Sequence, residues 1–183
     1  AGDDIILLAT ANRELIENYF IFPLPCNESL IKTLDKKLTV DLADKLNIPT
    51  PRTYSITSMK ELLRIESTAY PIVLKPRISA GFRETFGKKI MVAHNTSEMV
   101  YFWKKINNKF PLLLQEFIPG YSDKIYSVAT IYDRSNNSVA TFQIRKLVEM
   151  MPGITACAEQ THCSFIEEYS HKILKHLTWI GTA

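Results

Sequence analysis

Lys75 ends a compact apolar segment, Pro71-Ile-Val-Leu-Lys-Pro76, and a polar stretch, 79–89, follows it with Gly81, Arg83, Gly87, Lys88 and Lys89 before the chain turns apolar again at Ile90. A strand, a basic glycine-containing loop and a second strand suit the binding of phosphate. Glycine lets the backbone approach an anion closely, main-chain N–H groups point at its oxygens, and lysines offset its charge. The same lysine is also what an unspecialised sheet edge presents, its stem along apolar surface and its head in water. The GxxxxGK[ST] string is absent and no helix is predicted after the loop, so this is not a Walker loop.

Some forty residues downstream, a second apolar segment leads into Gln115-Glu116-Phe117-Ile118-Pro119-Gly120. An adenine ring needs an acceptor for its amino group, a main-chain N–H for a ring nitrogen, and apolar walls. Glu116, with the main chain and side chains of Phe117 and Ile118, offers these where a strand leaves a sheet. Asp123, just beyond Gly120, is suited to accept from ribose hydroxyls. The plainer reading of the same residues is a capped strand end with a solvated acid.

The elements that must position these groups follow from periodicity. Leu30, Leu34, Leu38, Leu42 and Leu46 recur every four residues, which predicts one amphipathic helix from Ser29, capped by Asn27 or Ser29 and stopped by Pro49 and Pro51. Before it, 5–16 suits a helix and 19–22 a short strand. Strands are predicted at 52–56, 71–76, 90–94 and 112–116, with helices at 58–66 and 96–108. Met99, Phe102, Trp103 and Ile106 share one face of the latter, and Asn95 or Thr96 caps it. A hairpin follows, 126–132 with 139–147, turning through Asn136-Asn137; a loop at Pro152-Gly153 and a last helix at 166–177 complete the chain. Helices alternate with strands, but the later strands form a hairpin instead of a crossover, which favours α+β over a doubly wound sheet.

Other residues carry weaker signals. His171 and His176 are five apart, not the four of a two-histidine metal face, so these, with His162 and His94, read as surface or partly buried residues. Trp103 and Trp179 read as core. No Ser or Cys has the context of an activated nucleophile, and Cys163 beside His162 does not supply one. The chain has 183 residues, 46% of them hydrophobic, enough for one domain or two small ones, and 22% charged, which excludes wholesale disorder. A net charge of +3 with no Lys/Arg run longer than two speaks against a nucleic-acid partner. Cys26, Cys157 and Cys163 lack disulfide or zinc spacing and read as reduced thiols of a cytoplasmic protein. The longest apolar run, 5–9, is too short to cross a bilayer, and the acidic start is unlike a signal peptide, so no membrane partner is expected.

Taken in order, Leu34-Asp-Lys-Lys-Leu-Thr39, Ile48-Pro-Thr-Pro51, Ile72-Val-Leu-Lys-Pro76, the basic loop and Leu114-Gln-Glu-Phe-Ile-Pro-Gly120 closely resemble ATP-grasp enzymes of the carbamoyl-phosphate-synthase-like branch, among the carboxylate–amine ligases. The ordered set is specific where its single pieces are not. The resemblance implies an α+β ATP-grasp fold of two small subdomains with antiparallel sheets, incomplete at the C-terminus. Residues 1–28 would end a preceding domain, 29–118 form the first subdomain and 119–183 begin the second.

By the same resemblance, Lys36 lies near the phosphates and Lys75 on the α- and β-phosphates, with Gly81, Gly87, Lys88 and Lys89 over them. Gln115, Glu116, Phe117 and Ile118 serve adenine, and Asp123 serves ribose. Arg145 and Lys146 face the reacting phosphate or the substrate. The implied cofactors are ATP and Mg²⁺, and the implied partners are a small carboxylate and an amine or ammonia, joined through an acylphosphate. The loop is poorer in glycine than is usual in such enzymes. The acidic residue or Gln and the Glu-x-Asn that hold their Mg²⁺ are expected beyond Ala183, so no metal ligand is assigned here and the stretch alone is expected to be inactive. The alternative is a non-catalytic nucleotide-binding module on the same scaffold.

Overall fold

The computed structural model describes residues 2–66, 69–151 and 154–183, which divide into two compact units. One comprises the chain up to Phe20 together with Leu30–Ile118; the other comprises Ile21–Ser29 and Pro119–Ala183. Residues 1–28, expected as the end of a preceding domain, are thus shared between the two units.

The first unit is built on a four-stranded antiparallel sheet of β1 (Thr53–Tyr54), β2 (Ile72–Pro76), β3 (Met91–Ala93) and β4 (Leu112–Glu116), in the order β1-β4-β2-β3. Along β2, Ile72, Leu74 and Pro76 are buried while Val73 and Lys75 are half-buried, as the twofold side-chain alternation of a strand requires. The buried face packs on the helix Thr96–Ile106 through Met99, Trp103 and Ile106, and Leu62 and Phe82 close the same core. Asn95 caps that helix, accepting from the Glu98 N–H at 2.9 Å, while the Glu98 carboxylate accepts from the His94 N–H at 2.9 Å.

The remaining helices correct several expectations. In chain order they are α1 (Asp3–Ala11), α2 (Arg13–Glu17), α3 (Asn27–Leu34), α4 (Lys36–Lys45), α5 (Met59–Leu62) and α6 (Phe82–Phe86), which makes Thr96–Ile106 α7. The leucine stripe, predicted as one helix, is broken into α3 and α4. Asp35 takes an extended conformation (φ −87°, ψ 107°) and caps α4 by accepting from the Lys37 N–H at 2.9 Å. No strand forms at 19–22, and the strand predicted over 52–56 pairs only through Thr53 and Tyr54.

The second unit is an antiparallel sheet in the order β7-β6-β5-β8, formed by β5 (Tyr126–Tyr132), β6 (Ser138–Met151), β7 (Ile154–Gln160) and β8 (Gly181–Thr182), with α8 (Ser164–His176) between β7 and β8. The predicted hairpin is present. Asp133 accepts from the Ser135 and Asn137 N–H groups at 2.8 and 2.9 Å, and Asn136 takes the positive φ (59°) that asparagine tolerates. β6 runs further than predicted, and β7 and β8 were not foreseen; Pro152-Gly153, where a loop was predicted, lies outside the described residues. Tyr132, Leu174, Leu177 and Trp179 are buried. Trp103 and Trp179 are both core residues, as read from the sequence. At Gly181 (φ 84°) a Cβ would meet the Pro23 carbonyl oxygen at 2.1 Å, and the Ser29 hydroxyl donates to the Leu177 carbonyl at 2.6 Å. The segment 21–29 is thereby fastened to the far end of the chain. Among the described residues no helix is long and apolar enough to cross a membrane.

Candidate functional site

Lys75 sits on the face of the first sheet opposite the core. Its Nζ donates to Gln115 Oε1 at 2.5 Å, and Gln115, only 7% exposed, donates from Nε2 to Thr53 Oγ1 at 2.8 Å. Three strands are joined by this relay. Burial holds the Lys75 ammonium below its usual pKa, and the nearby charge of Lys36 lowers it further. Lys36, at the first position of α4, is lowered for the same first reason, burial, while Asp3 and Asp35 act in the opposite sense. A helix start and a strand end thus bring two half-buried cations together.

Beside Lys36 lies a cavity of about 740 Å³ whose lining carries Arg83 and Lys89 and also Asp3, Asp4 and Glu84; Lys75 is not among its lining residues, although the next residue, Pro76, is. Lys36 Nζ donates to Ser79 Oγ at 2.7 Å, and the Ser79 N–H donates to the Asp3 carboxylate at 3.2 Å. The loop over this space is not the plain flexible stretch expected. Its middle is the single turn of α6, entered at Gly81 (φ 73°) and left at Gly87 (φ 68°). Phe82, 1% exposed, anchors it in the core, with ring centroids 4.9 Å from Phe86 and 5.2 Å from Phe110. The four-residue spacing of Phe82 and Phe86 was the available signal. Lys88 is exposed and does not line the cavity.

Glu116 is placed differently from its sequence reading. Lys75 pairs with Leu113 and Glu116 with Ile72, so the two stand three residue pairs apart, about 10 Å along one ladder, and start from opposite faces. The Glu116 carboxylate accepts from the Arg52 N–H at 2.9 Å, and its own N–H donates to the Arg52 carbonyl at 2.9 Å. One carboxylate oxygen is thereby engaged at the sheet edge where β1 begins, while the other accepts no hydrogen bond from the described residues. Phe117 and Ile118 leave the sheet exposed, the Phe117 N–H donating to the Pro71 carbonyl at 3.3 Å.

The other predicted residues belong to the second unit. Asp123 lies in a single 3₁₀ turn, Ser122–Lys124; its side chain is 45% exposed, but its Oδ1 is buried and has no hydrogen-bond partner among the described residues. Such an atom costs free energy until a donor arrives, which suits a hydroxyl-bearing ligand. Arg145 is bound to Glu159 across β6 and β7 (2.8 Å from Nε), and Lys146 to Glu149 at 3.1 Å. His171 contacts the Tyr132 hydroxyl through Nδ1, with Thr141 Oγ1 3.3 Å from Nε2; it is a partly buried structural residue. Among the described residues, no three or more His, Cys, Asp or Glu side chains gather where a metal ion fits.

Sequence reasoning missed Thr53, which ends the relay from Lys75, and the pair formed by Asp35 and Arg77. Arg77 donates to the Asp35 carboxylate from Nε at 3.0 Å and from a terminal nitrogen at 2.5 Å. The partners are far apart in the chain, and no local pattern announces them.

No protein-family model and no curated protein sequence matches the chain. Solved structures do. N5-carboxyaminoimidazole ribonucleotide synthetase from Thermus thermophilus superposes with a TM-score of 0.70 at 15% identity, over 94% of this chain and 46% of that one. The biotin carboxylase domain of 2-oxoglutarate carboxylase from Hydrogenobacter thermophilus, solved with MgADP, ADP and bicarbonate, gives 0.71 at 17% identity, over 96% and 41%. D-alanine–D-alanine ligase from Bacillus anthracis, solved with ATP, gives 0.64 at 15% identity, over 94% and 57%. This chain therefore spans about half the length of these ATP-grasp ligases, and over nearly all of its own length it carries the ATP-grasp fold.

Proposed function

We propose that this chain is the ATP-holding part of an ATP-grasp ligase, of the carbamoyl-phosphate-synthase-like branch, that activates a small carboxylate as an acylphosphate for attack by an amine or ammonia. One observation carries the reading. Lys75 is a half-buried cation whose hydrogen-bond acceptor is a neutral amide and whose charged neighbour is another lysine. Burying a charge without an opposite one is costly, and perturbed cations gathered beside a cavity mark sites built for a ligand. A polyphosphate supplies the missing negative charge.

In this reading Lys36, Lys75 and Lys89 grip the phosphates under the loop that bears Gly81, Gly87 and Lys88. Gln115 holds Lys75. The main chain of Glu116, Phe117 and Ile118 receives adenine, and the unpartnered oxygen of Asp123 accepts from ribose. Little covalent chemistry falls to such residues; they position the reacting groups and offset developing charge. Arg145 and Lys146 turn to the reacting phosphate or the substrate by exchanging Glu159 and Glu149 for it. Bound magnesium would supply further positive charge to the phosphates, and none of the described residues is assigned to hold it.

Calorimetric titration with ATP tests this. Lys75→Ala is expected to weaken binding by more than about 1 kcal/mol, the scale of a charge-assisted contact. Unchanged affinity removes Lys75 from the site. A second reading, nucleotide binding without catalysis, is favoured by the carboxylate partners that already occupy Arg145 and Lys146. Robust ATP-dependent phosphate release by the chain excludes that second reading.

A further inference from the structure

Asp35 and Arg77 form a bidentate ion pair in the first unit, and neither lines the cavity beside Lys36. Asp35 is 7% exposed. One of its oxygens accepts from the Lys37 N–H and from Arg77 Nε, and the other accepts from the second prong of the Arg77 fork. Burial opposes ionisation of this carboxyl, yet the Arg77 guanidinium and the N–H groups at the start of α4 together hold it below the usual carboxylate range. The main chain is joined at the same place. The Lys36 N–H donates to the Arg77 carbonyl at 2.9 Å, that carbonyl lies 3.5 Å from Lys36 Nζ, and the Arg77 N–H donates to the Pro111 carbonyl at 2.9 Å.

These contacts meet where two lysines are delivered. Lys36 directly follows Asp35, and Lys75 precedes Arg77 by two residues on the strand that leads into it. Like charges at close range separate unless the backbone beneath them is fixed, and Lys36 does act on Lys75 as a like charge. A buried ion pair is in itself weak evidence of stabilisation, and its best-attested use is to fix one arrangement among several. We propose that the Asp35–Arg77 pair is a positioning device: by breaking the leucine-striped helix at residue 35 and clamping the break to the exit of β2, it fixes where Lys36 stands relative to Lys75 for a polyphosphate ligand. It rests on the reading of the cavity as a phosphate site and acts only through the lysines.

A double-mutant cycle on ATP affinity, read by calorimetry on this chain, tests it. Asp35→Asn keeps a cap acceptor for α4 and removes the charge; Arg77→Lys keeps the charge and removes the fork. Each is expected to weaken ATP binding roughly tenfold, about the effect of one charge-assisted hydrogen bond. Lys36→Ala is expected to weaken it similarly, and to cost much less when Asp35→Asn is already present, because the lysine is then out of register. Damage that is merely structural gives additive losses and overturns the proposal. So does unchanged affinity in Asp35→Asn while Lys36→Ala is impaired. If Lys36→Ala binds ATP as the parent does, the phosphate reading fails first, a distinct outcome. Should Arg77→Lys fail to fold, the Asp35 and Lys36 arms complete the cycle alone.

Discussion

Two pairs of predicted site cations, one pair in each unit, are held in opposite ways. In the second, Arg145 and Lys146 each have a carboxylate, Glu159 and Glu149, within hydrogen-bond reach on the same sheet. In the first, Lys75 rests on a neutral amide and is pressed by Lys36, with its affinity for protons lowered by burial. Paired charge on a sheet surface is ordinary folding chemistry and contributes little. Charge held half-buried with no anion is a strain the fold tolerates, and it points to what is missing. The contrast makes the first unit the better guide to ligand chemistry.

The largest test of that contrast concerns the loop. Phe82→Ala opens a hole under α6 and is expected to destabilise the chain by about 3–5 kcal/mol, measured by denaturant unfolding. ATP binding should fall with it if the aromatic anchor holds the basic loop over the cavity. Gly181→Ala comes next, at about 3 kcal/mol, because a Cβ there meets a carbonyl and the backbone is left-handed. Its damage is expected in hydrogen exchange of the second sheet, sparing β2 and β4; uniform loss of protection breaks the two-unit comparison.

Asp35→Asn is expected to cost about 1.5 kcal/mol at neutral pH. The sign follows from linkage. A carboxyl whose folded pKa is depressed contributes fully above its ordinary value near about 3.9 and loses that contribution as pH falls through the lower folded value. The difference between the two proteins should therefore shrink below pH ~4, and a gap unchanged at pH ~3 refutes the pairing. Lys75→Met should act the other way, raising the melting temperature of the ligand-free chain by the equivalent of about 1 kcal/mol while abolishing stabilisation by ATP. Part of the ammonium still reaches water, which keeps that gain small. Arg145→Gln is expected to leave the melting temperature almost unmoved; a large drop makes Arg145 structural.

Much of this was legible from local pattern. β2, β4 and α7 follow from short apolar runs, alternation and an Asn-x-x-Glu start, and the hairpin from its Asn-Asn turn. Lys75 was legible from residue type and strand-end position, and it is half-buried there, whereas Lys36 was legible only through the family resemblance. What escaped depended on distant partners. The leucine stripe is continuous in sequence, and only Arg77, 42 residues away, explains why Asp35 breaks it. Glu116 looks free until Arg52 is seen to claim one of its carboxylate oxygens. β7 escaped for another reason: Thr155 to Gln160 are all exposed, so no alternation of apolar and polar residues announces a strand, and bulges in β6 blur its register.

The contact of Gly181 with Pro23 has a consequence for the order of assembly. Every strand of the first sheet lies between residues 53 and 116, so that sheet has all its partners once synthesis has passed β4. The second unit has to wait for residues 177–181, which return to the much earlier segment 21–29. Closing so long a loop is entropically slow. During synthesis, residues 21–29 therefore remain without their seat until residues 177–181 have been made, Leu177 standing 148 positions beyond Ser29.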